Sequence, residues 1–141
     1  MGKSRVRQIF ITEFDLERLE DLVGKFRAKT SRDTRNLDEL EQELETAEVV
    51  SPEGIPPDVI TMNSRVLLED MDTGQFMEYT LTFPADADVE TGKISVLAPI
   101  GTAMIGYRAG DRISWVVPGG EKNFLVKEIL YQPEAAGDYH L

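Results

Sequence analysis

Two stretches in the first third of the chain repeat apolar residues at intervals of three and four. Residues spaced in this way lie on one face of an α-helix. The repeated positions are Leu16, Leu19, Val23 and Phe26 in the first stretch, and Leu37, Leu40, Leu44 and Ala47 in the second. The spacing therefore predicts two helices in residues 1–50 that pack antiparallel as a short coiled-coil hairpin.

The residues around each predicted helix start are suited to capping. Thr12 can cap the first helix, with Asp15 at the position from which a carboxylate reaches back to the cap. Asn36 can cap the second helix, with Glu39 three residues further on. The charged residues of the hairpin tip between the helices are Lys29, Arg32, Asp33 and Arg35. This tip is either a solvated turn or the contact point of a protruding arm.

After residue 50 the pattern changes from helical spacing to short alternating runs. Three prolines and a glycine in residues 51–60 predict a linker. Strand-like runs follow at Val59–Leu68 and Phe76–Phe83, and the turn residues Asp72–Gly74 between them predict a β-hairpin. A further short strand is expected at Ile94–Leu97.

Proline and glycine then divide the rest of the chain into short elements. A short helix is expected over residues 99–106, beginning at Pro99. Proline has no N–H, and the N–H groups in the first turn of a helix have no partner within the helix, so nothing is lost there. Turns at Gly110–Asp111 and Pro118–Gly120 precede two runs, Arg112–Val117 and Asn123–Gln132, that predict a second β-hairpin.

These elements predict an α+β protein in three parts. Residues 1–50 form the short helical hairpin, residues 51–60 form the linker, and residues 61–141 form an antiparallel β domain with one short helix.

The composition excludes several kinds of chemistry. The chain of 141 residues has no cysteine, and its one histidine, His140, is next to last. Thiol catalysis, thiolate metal sites and a histidine base in a cleft are therefore not expected. Gly101, Gly106, Gly119 and Gly120 lack the order of a phosphate-binding loop and are expected to serve turns and close packing. We expect no enzyme, no cofactor and no resident metal.

The charge further limits the choice of partner. The net charge is −11, and residues 51–141 hold 14 acidic against 6 basic residues. Such a surface repels the phosphates of nucleic acid, and no run approaches the ~20 apolar residues that span a membrane. We expect a monomer that contacts proteins rather than nucleic acid or a membrane.

The segment Ile94–Gly120, ISVLAPIGTAMIGYRAGDRISWVVPGG, resembles the C-terminal domain of the bacterial Gre transcript-cleavage factors. That domain is related in fold to FK506-binding proteins. The residues in register with the Gre pattern are Ser95, Pro99, Ile100, Gly101, Ala103, Gly106, Gly110, Asp111, Pro118, Gly119 and Gly120. A helical hairpin placed before such a domain is also the Gre architecture, so the resemblance implies this fold.

A narrower resemblance, to the Rnk family of regulators of nucleoside diphosphate kinase, covers nearly the whole chain. It rests on the short hairpin, on PDVITMNSRV at residues 57–66 and on YQPEAAGDY at residues 131–139. This resemblance implies a cytoplasmic bacterial protein that binds RNA polymerase in the manner of Gre factors. Its C-terminal domain would lie near the mouth of the secondary channel, with the hairpin pointing inward, and it would influence the level of nucleoside diphosphate kinase.

The resemblance also implies which loop contacts the polymerase. In Gre factors this loop surrounds a Ser-Pro-Ile motif, and the matching residues here are Leu97, Ala98, Pro99 and Ile100. Ala98 replaces the serine of the Gre pattern, and Leu97 stands where Gre factors often have aspartate.

A Gre tip places acidic residues beside a catalytic Mg²⁺ of the polymerase, because Mg²⁺ takes oxygen ligands. The candidates here are Asp33, Asp38 and Glu39. Asp33 lies between arginines, while Asp38 and Glu39 fall at a helix start, where the helix dipole favours negative charge. The predicted arm is also only about 20 Å long. We therefore expect polymerase binding without stimulation of transcript cleavage.

Two alternatives to polymerase binding follow from the resemblances. One is direct binding and regulation of nucleoside diphosphate kinase. The other is prolyl isomerase activity, which needs an aromatic-lined pocket, whereas the aromatic residues of this chain are more simply placed in a core.

Overall fold

A helical hairpin and a five-stranded sheet make up the computed structural model, which describes residues 9–29, 35–117, 119–138 and 141. The strands are β1 (Phe10–Thr12), β2 (Glu48–Val50), β3 (Arg65–Asp70), β4 (Phe76–Thr82), β5 (Lys93–Ser95), β6 (Arg112–Val117) and β7 (Gly120–Tyr131). The helices are α1 (Glu13–Lys29), α2 (Arg35–Thr46), α3 (Pro99–Met104) and α4 (Pro133–Ala136). The predicted α+β class, with a hairpin before a mostly antiparallel sheet and a short helix, is confirmed.

The two long helices pack along the apolar faces that the spacing predicts. The buried residues on these faces are Leu19, Val23, Leu37, Leu40 and Leu44, with Leu16 and Phe26 partly buried beside them. Ala47 lies just beyond the end of α2. The hairpin therefore closes around a strip of leucine and valine side chains.

Only one of the two predicted helix caps is correct. The Asp15 N–H donates to Thr12 Oγ1 at 3.1 Å, so Thr12 caps α1 as expected. The second helix begins at Arg35, which places Asn36 inside the helix rather than at its cap.

A pair of short strands closes the base of the hairpin. β1 runs parallel to β2, with Phe10 opposite Glu48, and the Glu48 N–H donates to the Ile9 carbonyl at 2.8 Å. The alternation of residues within one three-residue strand carries no information about a partner that lies 38 positions away. The sequence therefore did not predict this pairing.

The main sheet has the strand order β5-β4-β3-β7-β6. Its neighbours are antiparallel except for β4 and β5, which are parallel. Both predicted β-hairpins are present, and Gly74 adopts the left-handed φ of 78° that its turn requires. The predicted antiparallel domain is therefore confirmed as a mostly antiparallel sheet, with β4 and β5 as its one parallel strand pair.

The predicted start of the first strand of this sheet was also wrong. β3 begins at Arg65 rather than at Val59, which makes only an isolated bridge to Arg108. The intervening residues form a turn in which Ser64 Oγ accepts from the Thr61 N–H at 2.9 Å and the Ser64 N–H donates to the Thr61 carbonyl at 3.0 Å. A serine that bonds to nearby backbone in this way competes with strand pairing.

One hydrophobic core extends through the hairpin and the sheet. It joins residues of α1 and α2 to residues of the inner sheet face, among them Val66, Leu68, Leu81, Ile113 and Val126. The segment predicted as a linker contributes to the buried interior through Ile55, Val59 and Ile60. The division of the chain at residues 51–60 stays a prediction.

Gly106 brings the base of the hairpin and the sheet into direct contact. It follows α3 with a left-handed φ of 81°, and a Cβ at this position would lie 2.3 Å from the Cβ of Ile9. The close packing that the sequence predicted for this glycine is thus confirmed, and its neighbour is the residue that precedes β1.

Candidate partner-binding site

The loop that the sequence predicts as a partner contact, Leu97–Ile100, connects β5 to α3. Ser95 organises its first turn: the Leu97 N–H donates to Ser95 Oγ at 3.0 Å, and the Ala98 N–H donates to the Ser95 carbonyl at 3.0 Å. Pro99 is the first residue of α3, as expected. Pro99 is exposed, while Leu97, Ala98 and Ile100 are half-buried. The loop therefore presents one apolar ring and parts of its neighbours to solvent.

Two residues of α3, Gly101 and Thr102, fix the conformation of this loop. The buried Thr102 donates from Oγ1 to the Val96 carbonyl at 2.7 Å. Gly101 lies so close to β5 that a Cβ there would be 2.0 Å from the Ser95 carbonyl oxygen. Because the obstructing atom belongs to the backbone, no other residue fits without moving the loop. The conformation of Leu97–Ile100 is therefore set before any partner binds.

The structure places only part of the predicted hairpin tip. Lys29 is the last residue of α1 and Arg35 is the first residue of α2. Arg32 and Asp33 lie outside the described residues. The base of the hairpin lies close to the end of α3, because Gly106 packs against Ile9.

Two of the acidic residues considered for a metal role, Asp38 and Glu39, lie at the start of α2 and differ in their contacts. Asp38 accepts from Arg27 Nη2 at 2.6 Å, and Glu41 accepts from the same nitrogen at 2.7 Å. The Asp38 carboxylate beside it is the main reason that the pKa of Arg27 lies above its ordinary value. Glu39 is exposed. Asp38 therefore joins α2 to α1 through an ion pair.

Among the described residues no group of three or more histidine, cysteine, aspartate or glutamate residues is placed to hold a metal ion. A helix long and apolar enough to cross a membrane is likewise not found in the described part of the chain.

The sequence missed a polar cluster that fastens α1 to the sheet. Asp15 is 1% exposed, and its Oδ2 accepts from the Met62 N–H at 3.1 Å. Its other oxygen accepts from the Arg18 guanidinium. The capping pattern identified Asp15, but its carboxylate turns to Met62 rather than back to Thr12. The chain distance of 47 residues explains why no local signal showed this contact.

Arg18 extends this cluster in three directions. Besides Asp15, its guanidinium donates to the Leu141 carbonyl at 2.7 Å. It also lies over the Phe14 ring, 3.9 Å from the centroid, and 4.6 Å from the centroid of the Phe83 ring. Cation–π contacts of this kind are strengthened when the cation is partly desolvated. Arg18 therefore links α1 both to the end of β4 and to the last segment of the chain.

The burial of Asp15 has an electrostatic cost. Desolvation raises the pKa of Asp15 from 3.8 to about 6, although the hydrogen bond from Arg18, the charge of Arg18 and the hydrogen bond from Met62 each act to lower it. Glu134 adds a smaller repulsion that raises the pKa further. The carboxylate is thus incompletely compensated in the folded protein.

Comparison with known proteins supports both resemblances. Residues 55–131 match the family model described as "Transcription elongation factor, GreA/GreB, C-term", and residues 7–50 match the model described as "Rnk N-terminus". The "Regulator of nucleoside diphosphate kinase" of Escherichia coli strain K12 is 42% identical over 134 residues, which cover 94% of this chain and 96% of that protein.

Similarity to Gre factors extends to sequence and structure. A GreA from Chlorobium phaeobacteroides is 36% identical over 105 residues, covering 74% of this chain and 66% of that protein. The solved structure titled "Prokaryotic transcription elongation factor GreA/GreB from Nitrosomonas europaea" superposes with a TM-score of 0.74 at 41% identity. It is matched over 87% of this chain and 99% of its own length.

Proposed function

The chain belongs to the GreA/GreB transcription elongation factor family and carries an N-terminal segment of the Rnk type, and from this premise we propose that it is a non-catalytic transcription regulator of the bacterial cytoplasm. It binds RNA polymerase as a monomer, through the loop Leu97–Ile100. The observation that carries this proposal is the preformed loop itself, which Gly101 fixes against Ser95.

The loop has the properties of a docking contact rather than of a catalytic site. Its exposed part is apolar, and its backbone N–H groups donate to Ser95, which leaves little conformational freedom to lose on binding. Preorganisation of this kind favours affinity because less entropy is lost when the partner binds. Pro99 and Ile100 are the residues that we assign to direct contact with the polymerase.

We place the docked protein near the mouth of the secondary channel, with the hairpin directed inward and no stimulation of transcript cleavage. At ~1.5 Å per residue, the 12 residues of α2 span only about 18 Å. The ion pair between Asp38 and Arg27 also occupies one of the acidic groups that a cleavage factor would use. The hairpin then occupies the channel without supplying a carboxylate to a catalytic Mg²⁺.

The second candidate is direct binding to nucleoside diphosphate kinase. It is favoured by the name of the Escherichia coli relative, regulator of nucleoside diphosphate kinase, which shares 42% identity along almost the whole chain. In the first proposal the protein alters the level of the kinase through transcription. In the second it binds the enzyme and changes its activity.

Binding of the purified protein to core RNA polymerase tests the first proposal. Pro99→Asp places a charge in the middle of the contact, and aspartate is well tolerated in the first turn of a helix. We expect this variant and Ile100→Asp to abolish binding. Val89→Asp is the matched control, since Val89 is 81% exposed on a separate loop and the change in charge is the same.

Loss of binding in all three variants would mean that charge alone is responsible, and absence of binding by the folded wild type would overturn the docking proposal. A parallel assay with nucleoside diphosphate kinase then separates the two candidates. A transcript-cleavage assay on stalled complexes tests the remaining claim, because any stimulation by the protein contradicts it.

A further inference from the structure

A cavity of about 340 Å³, open to solvent, lies on the face of the sheet that carries Arg65, opposite to the buried side chain of Val66. Thr80 and Thr82 of β4 line it together with Lys93 of β5 and Tyr131 of β7. It is separate from the loop Leu97–Ile100 and from the hairpin tip. Because the cavity is open, recognition of a ligand here would depend on the charged side chains around it rather than on enclosure.

Strand register explains why two cations meet at this cavity. Arg65 is paired with Tyr131 on one side and with Thr80 on the other, and Thr80 is paired with Lys93. Paired residues on neighbouring strands point to the same face, about 4.8 Å apart. Thr80 therefore lies between Arg65 and Lys93, and both long side chains can reach a group placed above its hydroxyl.

The two cations retain donors for a ligand. Arg65 Nη1 donates to Glu78 at 2.8 Å, with both side chains 49% exposed, and a guanidinium has five N–H donors in all. In the described part of the chain, Lys93 has no carboxylate within ion-pair distance. An unpaired lysine beside a threonine hydroxyl is notable in a protein of net charge −11. This arrangement favours the binding of an anionic group above the Thr80 hydroxyl.

The other residues that line the cavity indicate a ligand larger than a bare anion. Asp86 is one of the lining residues, and its carboxylate would repel a second negative group and could accept hydrogen bonds from a ligand. The Tyr131 hydroxyl donates to Asp138, so the tyrosine contributes its ring as a wall. Asn63 and Leu141 also line the cavity, and Asn63 Nδ2 donates to the Leu141 main-chain oxygen at 2.9 Å. A ligand with a phosphate at one end and hydrogen-bond donors at the other fits this lining.

We propose that this cavity binds a small phosphate-bearing molecule, with its phosphate held between Arg65 and Lys93 above Thr80. Arginine and lysine are the side chains that proteins use for phosphate, the former by a fork of two N–H groups and the latter as a point charge. The site is independent of whether the protein binds RNA polymerase or nucleoside diphosphate kinase.

Titration of the full isotope-labelled chain with ADP and with inorganic phosphate, followed by amide NMR, tests this proposal. We expect saturable shifts at Asn63, Thr80 and Lys93 for both probes. Stronger binding of ADP would identify an organic phosphate as the ligand, and equal binding would identify free phosphate. Absence of saturable shifts at about 1 mM of either probe, an affinity of roughly −4 kcal/mol, would overturn the proposal.

Three variants make the test specific. Lys93→Gln removes a charge without breaking a described ion pair, and we expect it to lower the affinity for ADP and phosphate at least tenfold. We expect the same loss of affinity for Arg65→Gln, which also removes the ion pair with Glu78. Lys127→Gln is the control, because Lys127 belongs to the same sheet but lies outside the cavity, near Glu69 at 3.9 Å. An equal loss of affinity in the control would show non-specific attraction to surface cations and would contradict the proposal. Circular dichroism confirms that each variant is folded.

Discussion

The loop Leu97–Ile100 and the helical hairpin differ in what fixes their shape. The loop is held by short-range hydrogen bonds to Ser95 and from Thr102, and by the close approach of Gly101 to the Ser95 carbonyl. The hairpin is held by side chains: leucines along its interior and the Asp15–Arg18 cluster at its base. Gly24, in the middle of α1, has no atom outside its own stretch of helix within 4 Å of the place where a Cβ would stand. Glycine is thus required at position 101 in the loop, whereas position 24 in the hairpin has room for a side chain.

The largest expected effect is that of Gly101→Ala. The new Cβ would stand 2.0 Å from a carbonyl oxygen, so β5 and α3 must separate. We expect the free energy of unfolding to fall by about 3 kcal/mol or more. Urea denaturation measures it, and a loss below about 0.5 kcal/mol, the usual range for surface changes, would show that the loop is not held by this contact.

The Asp15 cluster predicts a pH dependence that the loop lacks. Because burial raises the pKa of Asp15 to about 6, the folded chain retains a proton there that the unfolded chain releases near 3.8. The stabilisation from this proton is complete below 3.8 and is lost as the pH rises through about 6. The shift corresponds to up to about 3 kcal/mol.

The variant Asp15→Asn cannot titrate, so it isolates this effect. Relative to the wild type, its free energy of unfolding should rise by up to about 3 kcal/mol as the pH increases across that interval. Denaturation of both proteins over a series of pH values measures the difference. Parallel pH profiles would show that Asp15 is solvated, and would remove the electrostatic part of the comparison between hairpin and loop.

Gly24→Ala should have the opposite sign to Gly101→Ala. Gly24 is exposed within a helix and its surroundings are open, so alanine gains helix propensity without a clash. We expect the free energy of unfolding to increase by about 0.5–1 kcal/mol. A matched thermal denaturation of both alanine variants gives the sharpest form of the comparison, and destabilisation by Gly24→Ala would contradict it.

The smallest expected effect concerns the exposed ion pairs of the hairpin. Arg27→Gln removes the contacts to Asp38 and Glu41 at the surface. We expect a slight decrease in melting temperature at low ionic strength that disappears in high salt, because exposed pairs are screened. A decrease that persists at high salt would mean that Arg27 acts through packing instead.

Elements with a local signal were predictable from the sequence. The leucine spacing located both long helices, and Asp72–Gly74 located the first β-hairpin. Pro99 located the start of α3, and the close packing expected of Gly101 is found against Ser95. In each case the residue type acts on its own backbone or on its nearest turn, so the sequence alone was sufficient.

Features that depend on distant partners were not predictable. The start of β3 at Arg65 depends on a turn made by Thr61 and Ser64, and the parallel pairing of β1 with β2 depends on register between distant segments. The capping pattern drew attention to Asp15, but only the folded chain brings Met62 to it. The cavity beside Lys93 likewise depends on the order of four strands.

The parallel pair β1–β2 has a consequence for how the arm can change in length. It joins the two ends of the hairpin at their base, from Phe10–Thr12 to Glu48–Val50, so that the arm enters and leaves the body at one place. Residues added in equal number to α1 and α2 near the tip leave that junction unchanged, and doubling a closed loop costs only about 0.6 kcal/mol in entropy. The length of the hairpin is therefore independent of the way it joins the sheet, and the same β domain can have hairpins of different length.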